Sequence, residues 1–573
     1  MNTAQARQAL RDWQERQPDD FFEANRNLQH VLQMYLGDQK YGTLRDSLAE
    51  FGHVCATVID EAATINDRRE NHPRLERFTR IGERVEEIDF HPSYHAAGRP
   101  AYESGVLAIQ GQPGHAVHQA ALLFLLAHCG EMGHTCPIVC TAGLIRALQR
   151  KGSAYLQRTF LPPLLIPDYD RRQHGAQFVT ELQGGSDVGA NTCQATPTDR
   201  QGVWRINGEK WFCSNINADQ FLVTARPVGA ANGTRGLGLF LVPRRLPEDG
   251  APNGFYLRRL KDKFGTRTLA SAEIDLVDAI GYQVGEIEDG FKILMEQVLN
   301  TSRWLNAVGS MGLVQRALIE AYTYGRSRLA FGEHILRYPL VREALAEIKT
   351  EVYAGIASTF RLSYLVDRMD TGAATAQEQG FYRLLVNINK YWTSVAASLA
   401  IRRAQEVFGG NGAIEDFSIV SRLYRDSVVF ESWEGSHNVL CLQALKDMTK
   451  YHLHEDCVGY LAAQLDRVTQ PALLGYQQMS LTQLESVQDN LGRLFTGGPD
   501  YAQTHIRRVI DQMAVLIQVT CLLAEAEWEL ARGLDTDKPD VIALYFDRHL
   551  NRDYDPMDDG VYRERLARIC ERL

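Results

Sequence analysis

The sequence predicts an α+β chain of several domains: an N-terminal helical domain, a middle antiparallel β domain, a C-terminal helical bundle and a helical C-terminal extension. Three observations predict it. The chain has 573 residues, too many for one hydrophobic core. The period of its apolar residues switches from helical to strand-like near residue 173 and back near 288. The later helical stretches are long and apolar enough to pack as a bundle.

Residues 1–172 read as helices. Ala6 to Arg16 and Asn27 to Tyr35 place apolar residues three and four apart, the repeat of one helical face. Gln119 to Ala127 is apolar nearly all round, the mark of a helix enclosed by others. Pro162-Pro163 and Pro167 break the pattern. Over 173–287 short β-rich runs take over, such as Gly202 to Ile206, Phe221 to Thr224 and Gly238 to Val242. Asn207-Gly208, Asn232-Gly233 and Asn253-Gly254 read as turn dipeptides between them. Helical periodicity returns near Phe291 and fills 288–445, through Ala344 to Val366 and Leu384 to Val407. The extension, 446–573, is again amphipathic, notably Ile506 to Leu530. Gly497-Gly498-Pro499-Asp500 and the acidic stretch Asp553 to Gly560 interrupt it as loops.

Composition narrows the function classes. Apolar residues at 45% and charged residues at 23% are ordinary for a globular chain. A formal charge of −10 argues against nucleic acid, whose affinity comes from phosphate neutralisation by Lys and Arg. The extension sharpens this, with 21 acidic against 14 basic side chains; Arg507-Arg508 and the run Arg563 to Arg572 read as solvated faces. No membrane span is expected, since the stretch read as most apolar, Ala120 to Ala127, falls short of the roughly 20 residues required. Met1-Asn2-Thr3-Ala4-Gln5 onward is polar, without a signal-peptide core. Ten scattered cysteines read as reduced thiols, so the expected compartment is cytoplasmic. His128, Cys129, His134, Cys136 and Cys140 cluster in sequence but hold no CxxC pair, so small buried side chains account for them better than a metal.

Three segments carry chemistry. In Val179-Thr180-Glu181-Leu182-Gln183-Gly184-Gly185-Ser186-Asp187, adjacent glycines let backbone approach a flat or phosphorylated ligand, with hydroxyls on either side to bond it. Asn207-Gly208-Glu209-Lys210-Trp211-Phe212-Cys213-Ser214-Asn215 reads as a hairpin turn leading into an aromatic strand. Phe408-Gly409-Gly410-Asn411-Gly412, Arg425-Asp426 and Trp433-Glu434-Gly435-Ser436 form the third. There Glu434 follows the apolar run Val428-Val429-Phe430, and a poorly solvated wall would raise its pKa, as a base acting on a carbon acid requires.

In order and spacing, T-E-x-x-G-G-S-D, N-G-x-K-x-Φ-x-S, R-x-x-F-G, F-G-G-N-G, R-D and W-E-G-S resemble the acyl-CoA dehydrogenase superfamily over about residues 60–445. The usual T-E-P-G, W-I-T and Y-E-G-T become Thr180-Glu181-Leu182-Gln183, Phe212-Cys213-Ser214 and Trp433-Glu434-Gly435-Ser436. With Phe90 to His95, Cys136-Pro137-Ile138 and Leu260 to Arg267, these variants resemble the AidB-like branch, which also carries a helical extension.

The resemblance implies the acyl-CoA dehydrogenase fold, with a four-helix bundle as third domain, and FAD as cofactor. It implies an FAD-dependent oxidoreductase of fatty acid metabolism acting on a CH–CH group. An acyl-CoA is oxidised to trans-2-enoyl-CoA, Glu434 abstracting the α-proton while flavin N5 accepts the β-hydride. Thr180, Ser186, Phe212 and Ser214 fall on flavin contacts, and Ser186, Arg303 and Gly435 on the substrate side. Arg328 and Phe331 match a pair reaching the FAD of a neighbouring subunit; Glu406, Gly409 and Gly410 match a segment contacting it across the same interface, and Ser436 and Asn438 match further FAD contacts. The alternative base position of some members is Ser302 here, which cannot serve. Implied partners are acyl-CoA, an electron-transfer flavoprotein and further copies in a homodimer or homotetramer. Two other readings stand beside it: a DNA-associated flavoprotein of the alkylation response, and an acyl-CoA oxidase using oxygen.

Overall fold

The middle of the chain folds as a seven-stranded sheet: β1 (Gly175–Phe178), β2 (Gln194–Pro197), β3 (Val203–Ser214), β4 (Gln220–Pro227), β5 (Gly238–Pro243), β6 (Phe255–Leu260) and β7 (Ser271–Gln283). The computed structural model describes residues 3–572. Met1 and Asn2 of the polar N-terminal stretch, and Leu573, lie outside it. The pairings β4–β2–β3–β7–β5 return to β4, so the sheet closes on itself, and β6 pairs with β7. Most pairs are antiparallel as expected, but β4 runs parallel to both β1 and β2, each reached through connections long enough to cross over. Phe178, Ile206, Phe221, Phe240 and Ile274 fill the core of this sheet.

One expected turn is absent. Asn207-Gly208 lies inside the 12-residue strand β3, not at a hairpin. The register against β7 shifts between Ile206 and Gly208, so the dipeptide forms a β-bulge. Gly208 has φ 145°, and a Cβ there would meet the Cα of Cys193 at 2.8 Å. Asn207 and Asp278 exchange bonds of 2.9 and 3.0 Å across the bulge. An Asn-Gly pair serves a bulge as well as a turn, because both need unusual backbone angles.

By contacts the chain divides into two units, Thr57–His115 with Glu131–Leu305, and Met1–Ala56 with Ala116–Gly130 and Asn306–Leu573. The first holds the sheet, the helices Pro92–Glu103 and Met132–Lys151, and a hairpin of Arg74–Phe78 with Arg84–Asp89. That hairpin interrupts the stretch expected to be wholly helical. Its mostly charged, exposed strands give no apolar alternation to read.

The second unit is all helix apart from one short hairpin. Ala116–Ala127 is buried almost throughout. Downstream come α1 (Pro339–Asp370), α2 (Ala376–Val407), α3 (Val420–Ser432), α4 (His437–Tyr451), α5 (Pro499–Ala531) and α6 (Lys538–His549). Pro339 and Pro499 open their helices at the first turn, where no amide is needed. Pro499-Asp500, expected in a loop, therefore begins a helix. Thr375 and Glu378 form a reciprocal capping box at the start of α2.

The extension is built into the bundle: α5 packs on α1 and α2. Ala120 to Ala127 is too short to span, whereas α5 has an 18-residue window of mean hydropathy 1.6 and is the one helix among the described residues long and apolar enough to cross a membrane. That window is 83% buried inside the protein, which marks a core helix. Buried lysines lock the extension. Lys349 of α1 bonds the Asp537 carboxylate and the carbonyls of Ile569 and Arg572 at 3.0 and 3.1 Å. Lys538 lies 2.8 Å from Glu525 and 2.7 Å from Glu529, and Glu529 also meets His30 Nδ1 at 3.1 Å. Removing one cation strands buried carboxylates, so Lys538→Met should cost about 3–5 kcal/mol, read by urea unfolding; a loss within error would show that this cluster is relaxed by water.

Candidate active site

In the sheet-bearing unit the loop after β1 is pinned from beneath. Glu181 and Lys210 are 1% exposed; Lys210 Nζ lies 2.7 Å from Glu181 Oε1 and donates to Thr224 O at 2.8 Å. Glu181 Oε2 accepts from the Thr192 amide at 2.6 Å and its hydroxyl at 3.0 Å. Burial pushes the Glu181 carboxyl up, but the Lys210 charge and these hydrogen bonds outweigh it and hold it below the usual range. The Trp211 amide then bonds Thr180 O at 2.9 Å, tying the loop to β3. A Cβ on Gly185 would meet the Thr180 hydroxyl at 2.4 Å, so glycine makes room for that hydroxyl. The T-E and N-G-x-K motifs thus meet in one buried pair.

Above this pair Thr180 and Ser214 are half-buried, while Ser186 and Phe212 are exposed. Ser214 Oγ lies 3.0 Å from Ser271 Oγ. Phe212 leaves 55% of its surface open, an unusual state for a phenyl on a central strand. Lys261 Nζ sits 3.6 Å from the Trp211 ring centroid and 5.0 Å from that of Phe212, anchored to Glu273 at 2.8 Å. Hydroxyls beside an exposed aromatic face suit the polar edge and flat face of an isoalloxazine, so these residues fit FAD. Ser302, the alternative base position, is fully buried and accepts a bond of 3.2 Å from Gln177. Arg303 is 3% exposed.

In the helical unit Glu434 lies in the turn between α3 and α4. Its φ is 56° and that of Gly435 is 103°. A non-glycine residue held in the left-handed region stores strain, and such residues concentrate at functional sites. Glu434 is half-buried, and its Oε2 is shielded from solvent. Trp433 anchors the turn through Nε1–H to Asn306 Oδ1 and packs on Phe430 at 4.8 Å between centroids. Ser436 stands at the N-cap of α4 yet makes no side-chain cap bond, which leaves an exposed hydroxyl beside an exposed Asn438.

Two further segments of this unit present groups outward. Phe331 tips the hairpin Leu329–Ala330 with Glu333–His334 at φ 52° and is 98% exposed. Arg328 just before it is half-buried, with no ion-pair or hydrogen-bond partner for its side chain among the described residues. Gly409, at φ 59°, and Gly410 both face open space. The side chain of Glu406 is 72% exposed and lies 3.3 Å from Arg403, at the rim of a cavity of about 400 Å³.

The histidines and cysteines clustered at 128–140 make contacts within the protein. His128 bonds Phe124 O at 2.8 Å, His134 bonds Tyr94 O at 2.8 Å, and Cys129 bonds Cys55 O at 3.2 Å. Cys136 and Cys140 face each other at 3.9 Å. Sequence reasoning passed over Lys261 and Lys390. The signal for Lys390 was a lysine in the apolar middle of a long helix, where it has no exposure.

Comparison with known proteins identifies the family. The family model for the acyl-CoA dehydrogenase C-terminal domain matches residues 288–449, that for the middle domain 176–279, and that for the adaptive response protein AidB N-terminal domain 13–171. AidB of Escherichia coli strain K12 is 33% identical over 443 residues, 74% of this chain and 78% of that protein. Acyl-CoA dehydrogenase family member 11 of Caenorhabditis elegans is 30% identical over 432 residues, 73% and 69%. The crystal structure of the latter in complex with C11-CoA superposes with a TM-score of 0.85 at 25% identity, covering 96% of this chain and 95% of that one. The chain therefore belongs to the acyl-CoA dehydrogenase family, in its AidB-like branch, and is an FAD-dependent oxidoreductase.

Proposed function

We propose that this chain oxidises an acyl-CoA to the trans-2-enoyl-CoA, with Glu434 as the base that removes the α-proton. The observation that carries the reading is the backbone of Glu434, held left-handed in a turn between two helices with its Oε2 shielded from solvent. Nothing in ordinary packing asks for a glutamate at such a position. The fixed turn limits the directions in which its carboxylate can reach. The backbone N–H of Glu434 is assigned to polarise the thioester carbonyl, which lowers the acidity barrier of the α-carbon. FAD, when bound, supplies the two-electron oxidant that takes the β-hydrogen as hydride. Thr180, Ser186, Phe212 and Ser214 hold its ring system, and Ser436 and Asn438 add hydroxyl and amide contacts. Gly435, Ser186 and Arg303 are assigned to the substrate side. The C11-CoA bound by the nematode relative supports a fatty acyl-CoA as the substrate class. An electron-transfer flavoprotein is the proposed acceptor; stoichiometric peroxide in air would make the enzyme an oxidase.

We assign the protein to a homodimer or larger homo-oligomer, because Phe331 stands 98% exposed at the tip of its hairpin beside an Arg328 side chain with no ion-pair or hydrogen-bond partner among the described residues. An unpaired guanidinium suits a pyrophosphate. Glu406, Gly409 and Gly410 are proposed to line the same cofactor from the neighbouring copy. Duplex DNA as a ligand finds little support in the extension. Its acidic residues outnumber its basic ones, and Arg532, Arg548, Arg565, Arg568 and Arg572 are already within 3.4 Å of carboxylates, which reduces the positive charge it offers phosphate.

Purified protein should be yellow and should bleach when an acyl-CoA is added without oxygen. Glu434→Gln should retain FAD and lose bleaching by roughly 10³-fold or more, the size of a general-base contribution; full bleaching in that variant would overturn the assignment. Arg328→Ala and Phe331→Ala should release FAD on gel filtration while far-UV circular dichroism stays unchanged. Retained flavin in both would remove these residues from the cofactor site.

A further inference from the structure

The turn that carries Glu434 is gripped from inside the bundle. Lys390, midway along α2, has no solvent exposure, and its Nζ donates to Glu431 O at 3.2 Å and Gly435 O at 3.0 Å. One carbonyl belongs to the last turn of α3, the other to the residue after Glu434. A single ammonium therefore ties both ends of the segment whose two left-handed residues are Glu434 and Gly435. Carbonyls at a helix end lack intrahelical donors and carry the negative end of its dipole, so a cation is the complementary partner. Keeping an ammonium out of water is costly, and an apolar side chain of similar volume would avoid that cost. Its presence points to a use for the donors and the charge.

Glu431 of α3 accepts from Lys390 and His437 of α4 feels its charge; beside His437 stand Tyr391 of α2, Cys441 of α4, and Arg507 and Asp511 of α5. Tyr391 donates to Asp511 Oδ1 at 2.5 Å and accepts from Arg507 Nε at 3.0 Å. His437 Nε2 lies 3.5 Å from Glu431 Oε2. Burial, then the charges of Lys390 and Arg507, push His437 down to about 4, so it is neutral near pH 7.

We propose that Lys390 is the positioning residue of the Glu434 turn: its ammonium fixes the strained backbone bracket and sets the charge field in which the carboxylate titrates. The catalytic consequence rests on Glu434 being the base; the grip itself does not. The test uses the full-length holoenzyme with Lys390→Met, which removes donors and charge, and Lys390→Gln, which keeps a donor but no charge. Amide hydrogen exchange is followed over 431–437, and anaerobic bleaching by undecanoyl-CoA is followed against pH. In K390M the turn amides should exchange at least about tenfold faster with FAD retained. Bleaching should slow by up to about 100-fold at saturating substrate, with a smaller change in half-saturation. The acid limb of its pH profile should rise by roughly one unit, since a nearby cation favours the carboxylate. K390Q should regain much of the exchange protection while keeping the raised limb. Unchanged exchange and an unmoved limb in K390M would overturn the proposal. If K390M does not fold, a limb at the wild-type position in K390Q would do so alone. A wild-type protein that no acyl-CoA bleaches would remove Glu434 as base, while the exchange data would still decide the grip.

Discussion

The buried contact between Lys210 and Glu181 is the constraint on which the cofactor side of this protein depends. Each ion gives up hydration worth several kcal/mol, and the pair is kept only because every remaining lone pair and proton is used. Glu181 takes the amides of Thr192 and Cys193, and Lys210 takes the carbonyl of Thr224. The result is a loop that cannot slide along the sheet. Thr180 and Gly185 inherit their positions from it, and so does the aromatic strand through the Trp211 amide. Motif residues that look like ligand contacts divide into two classes here. Glu181 and Lys210 are sealed beneath the surface and hold the scaffold, whereas Thr180, Ser186, Phe212 and Ser214 remain available to a ligand.

The helical unit solves a similar problem with a different device. Its candidate site positions are held by strained backbone instead of a buried loop anchor. Glu434 and Phe331 both sit at positive φ, next to a glycine that also does. Neither side chain is a residue that favours that region, so the neighbouring structure must over-determine each turn. At Phe331 the Tyr338 hydroxyl bonds Ala330 O at 2.7 Å. At Glu434 the indole of Trp433, the end of α3 and the Lys390 ammonium close in from separate sides. Strain that would be released by a small shift is thereby converted into a fixed direction for one side chain.

The domain grammar was legible because apolar periodicity is a property of the chain alone, and it changed sharply near 173 and 288. The candidate site residues and the family were named through motif order, since the spacing between a loop, a strand and a turn survives many substitutions. What could not be read depended on partners far away in sequence. Asn207-Gly208 reads as a hairpin by local angles, and only the register with Asp278 on a distant strand makes it a bulge. The hairpin at 74–89 carries no apolar alternation, so its strands are set by pairing and not by patterning. Lys390 and Lys349 look like surface charges in sequence because burial is decided by which helix arrives opposite them.

That last point bears on the extension, whose acidic total first reads as a solvated appendage. Part of its charge is turned inward or used in local pairs: Lys538 lies between two buried glutamates, Lys349 reaches Asp537, and Arg565 bridges Asp547 and Asp559. Its longest helix, α5, supplies apolar surface to the bundle and, through Arg507 and Asp511, a polar contact to Tyr391, the neighbour of Lys390. A segment that contributes core residues and braces the helix carrying that lysine is part of the catalytic unit's framework. The substrate-selective surfaces must then be sought in side chains that face the acyl chain, which the motifs do not specify. This is why the same sequence pattern carries the family and the proposed base while leaving chain length to packing.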